Sequence, residues 1–195
     1  MDVPSTPAFP KVAGHLALDL VDTVHWRLDD TRSIDTLPTF DELVRWSEEI
    51  AGRPDLGSLR TTAVEAPDDA ARELAAVITL REAIYEAVFH GSDTAVDLVA
   101  VEYADAVRRS SLVRVPERST WSWSEPTDLT GPRTLVAREA HDLLTSDLSR
   151  ARQCSDDACG WVYLDTSPRQ NRIWCTAAGC GNRNRVARHQ ARKQR

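Results

Sequence analysis

No cysteine occurs in the first 153 residues of this 195-residue chain, so no disulfide framework can staple most of it. No run approaches the roughly 18 or more apolar residues that a membrane span requires. The opening Met1 to Lys11 is polar and carries proline. It lacks the charged-then-apolar layout of a secretory leader, so a cytoplasmic location is expected. There are no internal repeats and no low-complexity run. The chain also lacks a nucleophile motif, a phosphate-binding glycine loop and a dinucleotide fingerprint, and none of its residues is assigned a catalytic role. An enzyme is therefore not expected.

What is present is an ordinary globular composition, 42% hydrophobic and 28% charged, in a chain long enough for one core and a small satellite. The formal net charge of -6 argues at first against a polyanionic partner. Its distribution argues the other way. Residues 150–195 hold ten of the 24 basic residues and three of the 30 acidic ones, an acidic body followed by a basic segment. A division into 1–149 and 150–195 is expected.

The body reads as helical. Leu16, Leu20, Val21 and Val24 recur at helical spacing within 14–26, predicting a buried helix. Residues 27–36 predict a loop. Thr39 and Glu42 form a capping-box pattern ahead of a helix ended by Gly52. Residues 53–66, with Pro54 and Gly57, predict a connector. Pro67 opens the longest helix, which Gly91 stops near His90. Another helix is expected over 93–109, short strands over 112–115 and 120–124, and a last body helix over about 133–149.

All four cysteines fall in the basic segment, as Cys154-x4-Cys159-x15-Cys175-x4-Cys180. Two closely spaced pairs in a reducing compartment read as metal ligands. A pair two to four residues apart wraps one edge of a tetrahedron, and two pairs supply four soft donors for Zn2+. No coordination position stays open, which points to a structural site. Between the pairs, 161–164 and 172–174 predict a hairpin turning over 166–171. Trp161, Tyr163 and Trp174 can stack on bases, although covering the metal site as a miniature core is the favoured role for at least two of them.

After Cys180 the chain carries no acid, proline or glycine beyond Gly181. Arg185, Arg188, Arg192 and Arg195 fall at i, i+3, i+7 and i+10, one stripe of a helix. With Arg172, Arg183 and Lys193 they are the candidate nucleic-acid contacts, duplex DNA being the expected partner. The fold class expected is mainly α with a small β-hairpin, α+β overall: a helical N-terminal domain and a zinc-knuckle hairpin–helix module.

Cys180-Gly181-Asn182-Arg183 spells the signature of the CGNR zinc finger family. Cys159-Gly160-Trp161, Leu164-Asp165-Thr166-Ser167 and Arg172-Ile173-Trp174-Cys175 also resemble that family's pattern. Upstream, Gly14-His15-Leu16-Ala17-Leu18-Asp19-Leu20-Val21-Asp22-Thr23 resembles the opening motif of the ABATE domain, the usual N-terminal partner of this finger. Asp22 stands where that family typically has Asn. The resemblance implies a bacterial transcriptional regulator responsive to stress or to a ligand.

His15, Asp19, Asp22 and His25 lie at i, i+4, i+7 and i+10, one face if the segment is helical. Such a set can hold a metal or grip a polar effector. The plainer reading is that the carboxylates cap or bond neighbouring elements. His15, Asp19 and Asp22 remain candidate effector-binding residues. One short recognition helix gives a modest footprint, so homodimerisation through the acidic body is expected. Two rival functions stay open: a zinc-stabilised protein- or RNA-interaction module, and a small-molecule enzyme using the N-terminal pocket.

Overall fold

A computed structural model of the chain describes residues 8–115 and 117–193. They form two compact units, one built from 8–36 together with 148–193 and the other from 37–147. Packing thus divides the chain elsewhere than the charge step at 149/150 suggests: an N-terminal strap folds with the cysteine segment. The architecture is mainly α with three small antiparallel strand pairs.

In the strap, α1 spans only Leu16–Val21, with His15 at its N-cap and Asp22 at its C-cap. The helix expected over 14–26 stops there because Thr23 turns the chain. Its hydroxyl donates to the Leu20 carbonyl, and its own carbonyl accepts from the amide and hydroxyl of Thr36. Val24–His25 (β1) then pairs with Ile34–Asp35 (β2), within what reads as loop in the sequence.

The 37–147 unit follows its local signals closely. Thr39 caps α2, Phe40–Glu49, by accepting from the Glu42 amide. Phe40, Leu43, Val44, Trp46 and Ser47 are its buried face. The expected connector over 53–66 is instead a 3-10 turn, Pro54–Ser58, and a helix α3, Leu59–Glu65. Buried Leu56 and Leu59 gain enough from leaving water to override the weak helix signal around Pro54 and Gly57. Helix α4, Pro67–His90, begins on its proline and ends where Gly91 takes a left-handed φ of 63°. Ser92 caps α5, Asp93–Arg109. Helix α6 covers Gly131–Leu144, ending short of the expected 149.

Helices α4, α5 and α6 pack on one another around Val77, Leu80, Ile84, Val99, Val136 and Leu143. Arg133 of α6 ties the three together. Its guanidinium bonds Glu73 of α4 and Glu102 of α5, with Asp105 of α5 3.9 Å away. Ser111–Val115 (β3) and Thr120–Ser124 (β4) form an exposed hairpin in register from Ser111↔Ser124 to Val115↔Thr120. Among the described residues no helix is long and apolar enough to cross a membrane.

Candidate metal centre and basic helix

The cysteine segment opens with Ala151–Gln153 (β5), antiparallel to Val162–Leu164 (β6) in the register Ala151↔Leu164 to Gln153↔Val162. The expected return strand over 172–174 does not form; the partner lies upstream of the first cysteine. The pairing closes a knuckle over 154–161. Within it the Cys154 amide donates to the Trp161 carbonyl at 2.8 Å and the Cys159 amide to the Asp156 carbonyl at 3.0 Å. Gly160 has φ 69°, and a Cβ there would stand 2.6 Å from the Arg27 Cβ. Only glycine meets both conditions. The Arg27 amide donates to the Cys159 carbonyl, so the strap passes directly over this knuckle.

The second knuckle is a π turn, Ala177–Gly181, capped by the Thr176 hydroxyl, which accepts from the Gly179 amide. It delivers Cys180 and leads into α7, Asn182–Lys193. The two knuckles bring the four sulfurs within 4.8 Å of one another. Cys159 Sγ is 3.7 Å from Cys175 Sγ, which is 3.3 Å from Cys180 Sγ. A tetrahedron with metal–sulfur bonds of about 2.3 Å has edges of about 3.8 Å. All four cysteines are buried.

The close approach of the four sulfurs shows what the cage fits. Cys154 accepts hydrogen bonds from Cys159 and Cys175 and is lowered to about 2. That same interaction with Cys154 pushes Cys159 and Cys175 up, and burial pushes Cys180 up. Four thiolates coexist only around a cation, and Zn2+ matches four soft, closed donors. Two outer donors favour anionic sulfur further: the Cys175 amide to Cys154 Sγ at 3.4 Å and Arg183 Nη2 to Cys180 Sγ at 3.1 Å.

Two of the expected nucleic-acid arginines are bonded within the module itself. Arg183 also donates to Asp156 at 2.8 Å and lies 4.4 Å over the Trp26 ring. Asn184 bonds the same carboxylate and the Cys180 carbonyl. Arg172 donates to the carbonyls of Val12, Trp174 and Cys175 and stacks 3.9 Å over Tyr163. The Tyr163 hydroxyl returns a bond to the Arg172 carbonyl, and burial pushes that phenol up to about 12. Asp156 and Asp165, absent from the expected site, are the acceptors that make this possible. Asp165 takes the amides of Ser167 and Arg172, and the Ser167 contacts hold its carboxyl below the ordinary range.

Arg185, Arg188 and Arg192 face outward with Trp174, Gly181 and His189 around a groove of about 330 Å3. Arg188 lies 5.8 Å from the Trp174 ring centroid. No described side chain of α7 is buried, and all but that of Asn184 are exposed. Arg195 lies outside the described residues.

His15, Asp19, Asp22 and His25 do not share a helical face, because α1 ends at Val21. His15 Nδ1 accepts from the Ala17 amide. Asp19 Oδ1 accepts from Val12 and Ala13 at 2.9 and 3.0 Å, while burial raises its carboxyl above the ordinary range. Asp22 Oδ1 accepts from the Val162 amide at 2.7 Å, which fastens the strap to β6. His25 packs edge-on against Trp161.

The CGNR zinc finger family model matches residues 150–193. The ABATE model, described as "Putative stress-induced transcription regulator", matches residues 14–147. Neither description is of an enzyme, and no curated protein matches the chain significantly. With the larger match covering well over half of its length, this chain belongs to the ABATE family and ends in a CGNR zinc finger whose cofactor is Zn2+.

Proposed function

We propose that this protein is a DNA-binding transcriptional regulator acting in the cytoplasm. Cys154, Cys159, Cys175 and Cys180 hold Zn2+, which cross-links the two knuckles and leaves no position for substrate. Helix α7 then presents Arg185, Arg188, Arg192 and Lys193 to the phosphates and base edges of duplex DNA. The observation that carries this is the state of those four cations. None has a carboxylate partner among the described residues, whereas Arg172 and Arg183 are committed to the module itself. Those two arginines position the helix; the outward ones meet the ligand.

Four phosphate contacts give a log affinity falling by about 3 to 4 per decade of salt, and replacing Arg185, Arg188 and Arg192 with alanine removes most of that slope. Fluorescence anisotropy on a duplex pool, from low to high salt, measures both. A flat salt dependence, or a slope untouched by the triple substitution, sinks the proposal. A twelve-residue helix is a small footprint, so the active species is a homodimer joined through residues 37–147, checked by sedimentation. Trp174 beside Arg188 supports a second reading, because an aromatic next to a guanidinium is a stacking platform for unpaired bases. Preference for single-stranded RNA over duplex DNA in direct competition favours that reading.

A further inference from the structure

We propose that the free edge of the β3–β4 hairpin is a self-association surface, on which β4 of a second copy of this chain pairs antiparallel about a two-fold axis at Ser122. The hairpin belongs wholly to the unit of 37–147. It is a two-stranded sheet, so each strand leaves one edge unpaired. Every residue of β4 is exposed, as are Ser111 to Arg114 of β3. A lone two-stranded hairpin is marginal in water and is steadied by further strands or by a helix beneath it. The body offers Arg138 of α6, 5.5 Å from the Trp123 ring centroid, while Trp121 at the outer end is 66% exposed.

The sequence of β4 names the occupant. Thr120-Trp121-Ser122-Trp123-Ser124 reads nearly alike in both directions. Two antiparallel copies centred on Ser122 set Trp121 of each against Trp123 of the other on one face, and Thr120 against Ser124 on the opposite face. Aromatic pairs and hydroxyl pairs across strands are among the combinations that strengthen a sheet. A two-fold contact needs a patch that complements itself, and β4 is such a patch. The edge of β3 is not. Centred on Val113, two copies of Ser111-Leu112-Val113-Arg114-Val115 set Leu112 of each against Arg114 of the other. Within each hairpin Leu112 already pairs with Trp123 and Arg114 with Trp121, so joining through β4 places the four tryptophans in the middle of a four-stranded sheet, with Leu112 and Arg114 outside them.

Charge decides where two copies can approach. Residues 37–147 hold 21 acidic and 11 basic side chains, so most approaches bring carboxylates together. Between Asp105 and Glu125 the only acid is Glu117, and β4 carries no charge. Solvent-facing edges ordinarily carry a lysine, a proline or a bulge that blocks a further strand. β4 has neither residue, and its register with β3 runs unbroken. One strand edge and two tryptophans from each copy bury less than the roughly 1,200 Å2 of a standard stable interface. The dimer is therefore reversible, with a Kd on the order of 10 μM. This contact rests on the reading of the protein as a homodimer joined through 37–147, and not on its binding DNA.

The test is sedimentation equilibrium of the zinc-loaded full chain, from about 1 to about 300 μM, a range that brackets the expected Kd. Position 122 faces itself across the axis. Ser122→Lys and Ser122→Glu each set like charges opposite one another, and each is expected to weaken the dimer at least about tenfold. An equal mixture of the two is expected to restore association, because unlike charges then meet. Trp121→Ser is expected to weaken the dimer to a similar degree, and thermal midpoints separate lost pairing from lost folding. Should Trp121→Ser unfold, the mixture decides alone. A wild-type chain that stays monomeric across the range overturns the proposal. So does a dimer that the substitutions leave unchanged, or a mixture that associates no more tightly than either variant by itself. Anisotropy on duplex DNA with the same samples keeps the two readings apart. Duplex binding by a monomer overturns the dimer alone, whereas a dimer that ignores DNA sinks the regulator reading and leaves this contact standing.

Discussion

Replacing Asp22 with Asn should stabilise the protein, and by an amount that depends on pH. Asp22 is fully buried. One carboxylate oxygen accepts the Val162 amide at 2.7 Å, and the other, Oδ2, has no partner. Burial raises its carboxyl well above the ordinary 3.8, further helped by the nearby Asp19 carboxylate and opposed by the Val162 bond. The sign follows from proton linkage. Between 3.8 and the raised folded value, the native state binds the proton and the unfolded chain does not. Stability therefore falls as pH rises through that window and stays low above it. Asn is the isostere of the protonated form. It keeps the acceptor for Val162 and puts a neutral group where an unpaired anionic oxygen stood. Removing an unpaired buried charge is worth about 1–3 kcal/mol. Denaturant unfolding of both proteins at fixed excess zinc, from about pH 8 down to about pH 5.5, measures the difference. The Asn variant should lead at the alkaline end and lose its lead as pH falls. A variant less stable at the alkaline end, or a difference flat across the range, refutes the reasoning.

Cys175→Ser should release the metal and with it the order of 151–193, because structural zinc supplies about 10–16 kcal/mol that so small a segment cannot replace. Metal analysis with hydrogen exchange checks it; protection retained without metal contradicts it. Arg133→Met should cost about 1–3 kcal/mol, since Glu73 and Glu102, both around one-fifth exposed, lose the guanidinium that bonds them, while Asp105 keeps Arg108 and Arg109; urea midpoints measure it. Tyr163→Phe should cost about 1 kcal/mol by freeing the Arg172 carbonyl, and should do so without loss of zinc, which separates this bond from the cage.

Local signals were legible where they act within a few residues. Pro67 and Gly91 bracket α4 as their chemistry requires, and the cysteine spacing marked the cage. Signals failed where the partner is remote. Val162 meets Asp22 across 140 residues, and nothing in either neighbourhood announces the other. The run 14–26 is apolar nearly all round because the strap is buried, and such a run does not distinguish helix from strand. Ala151-Arg152-Gln153 lacks β-branched and aromatic residues, so β5 went unseen and the hairpin was expected with the wrong partner. Basic residues were countable, but a count does not tell Arg183, whose carboxylate is 27 positions upstream in Asp156, from Arg185, which has none among the described residues.

The cysteine segment is small because it is not a whole unit. Its buried side chains beyond the cysteines are few, chiefly Val162 and Tyr163, and its backbone is finished by groups from the strap. The Ala13 carbonyl accepts from Leu164, the Val12 carbonyl from Arg172, and the Asp22 carboxylate from Val162. Unpaired, each of those buried groups would cost about 1–3 kcal/mol. Metal and strap therefore stabilise the same few residues by different means: the metal fixes the knuckles, and the strap satisfies the strand and the arginine between them. Arg183 joins the two, since one guanidinium touches a cage sulfur, the Asp156 carboxylate and the Trp26 ring of the strap. Because Arg183 also stands in the first turn of α7, the direction of the outward arginines is set jointly by the cage and by residues near the start of the chain.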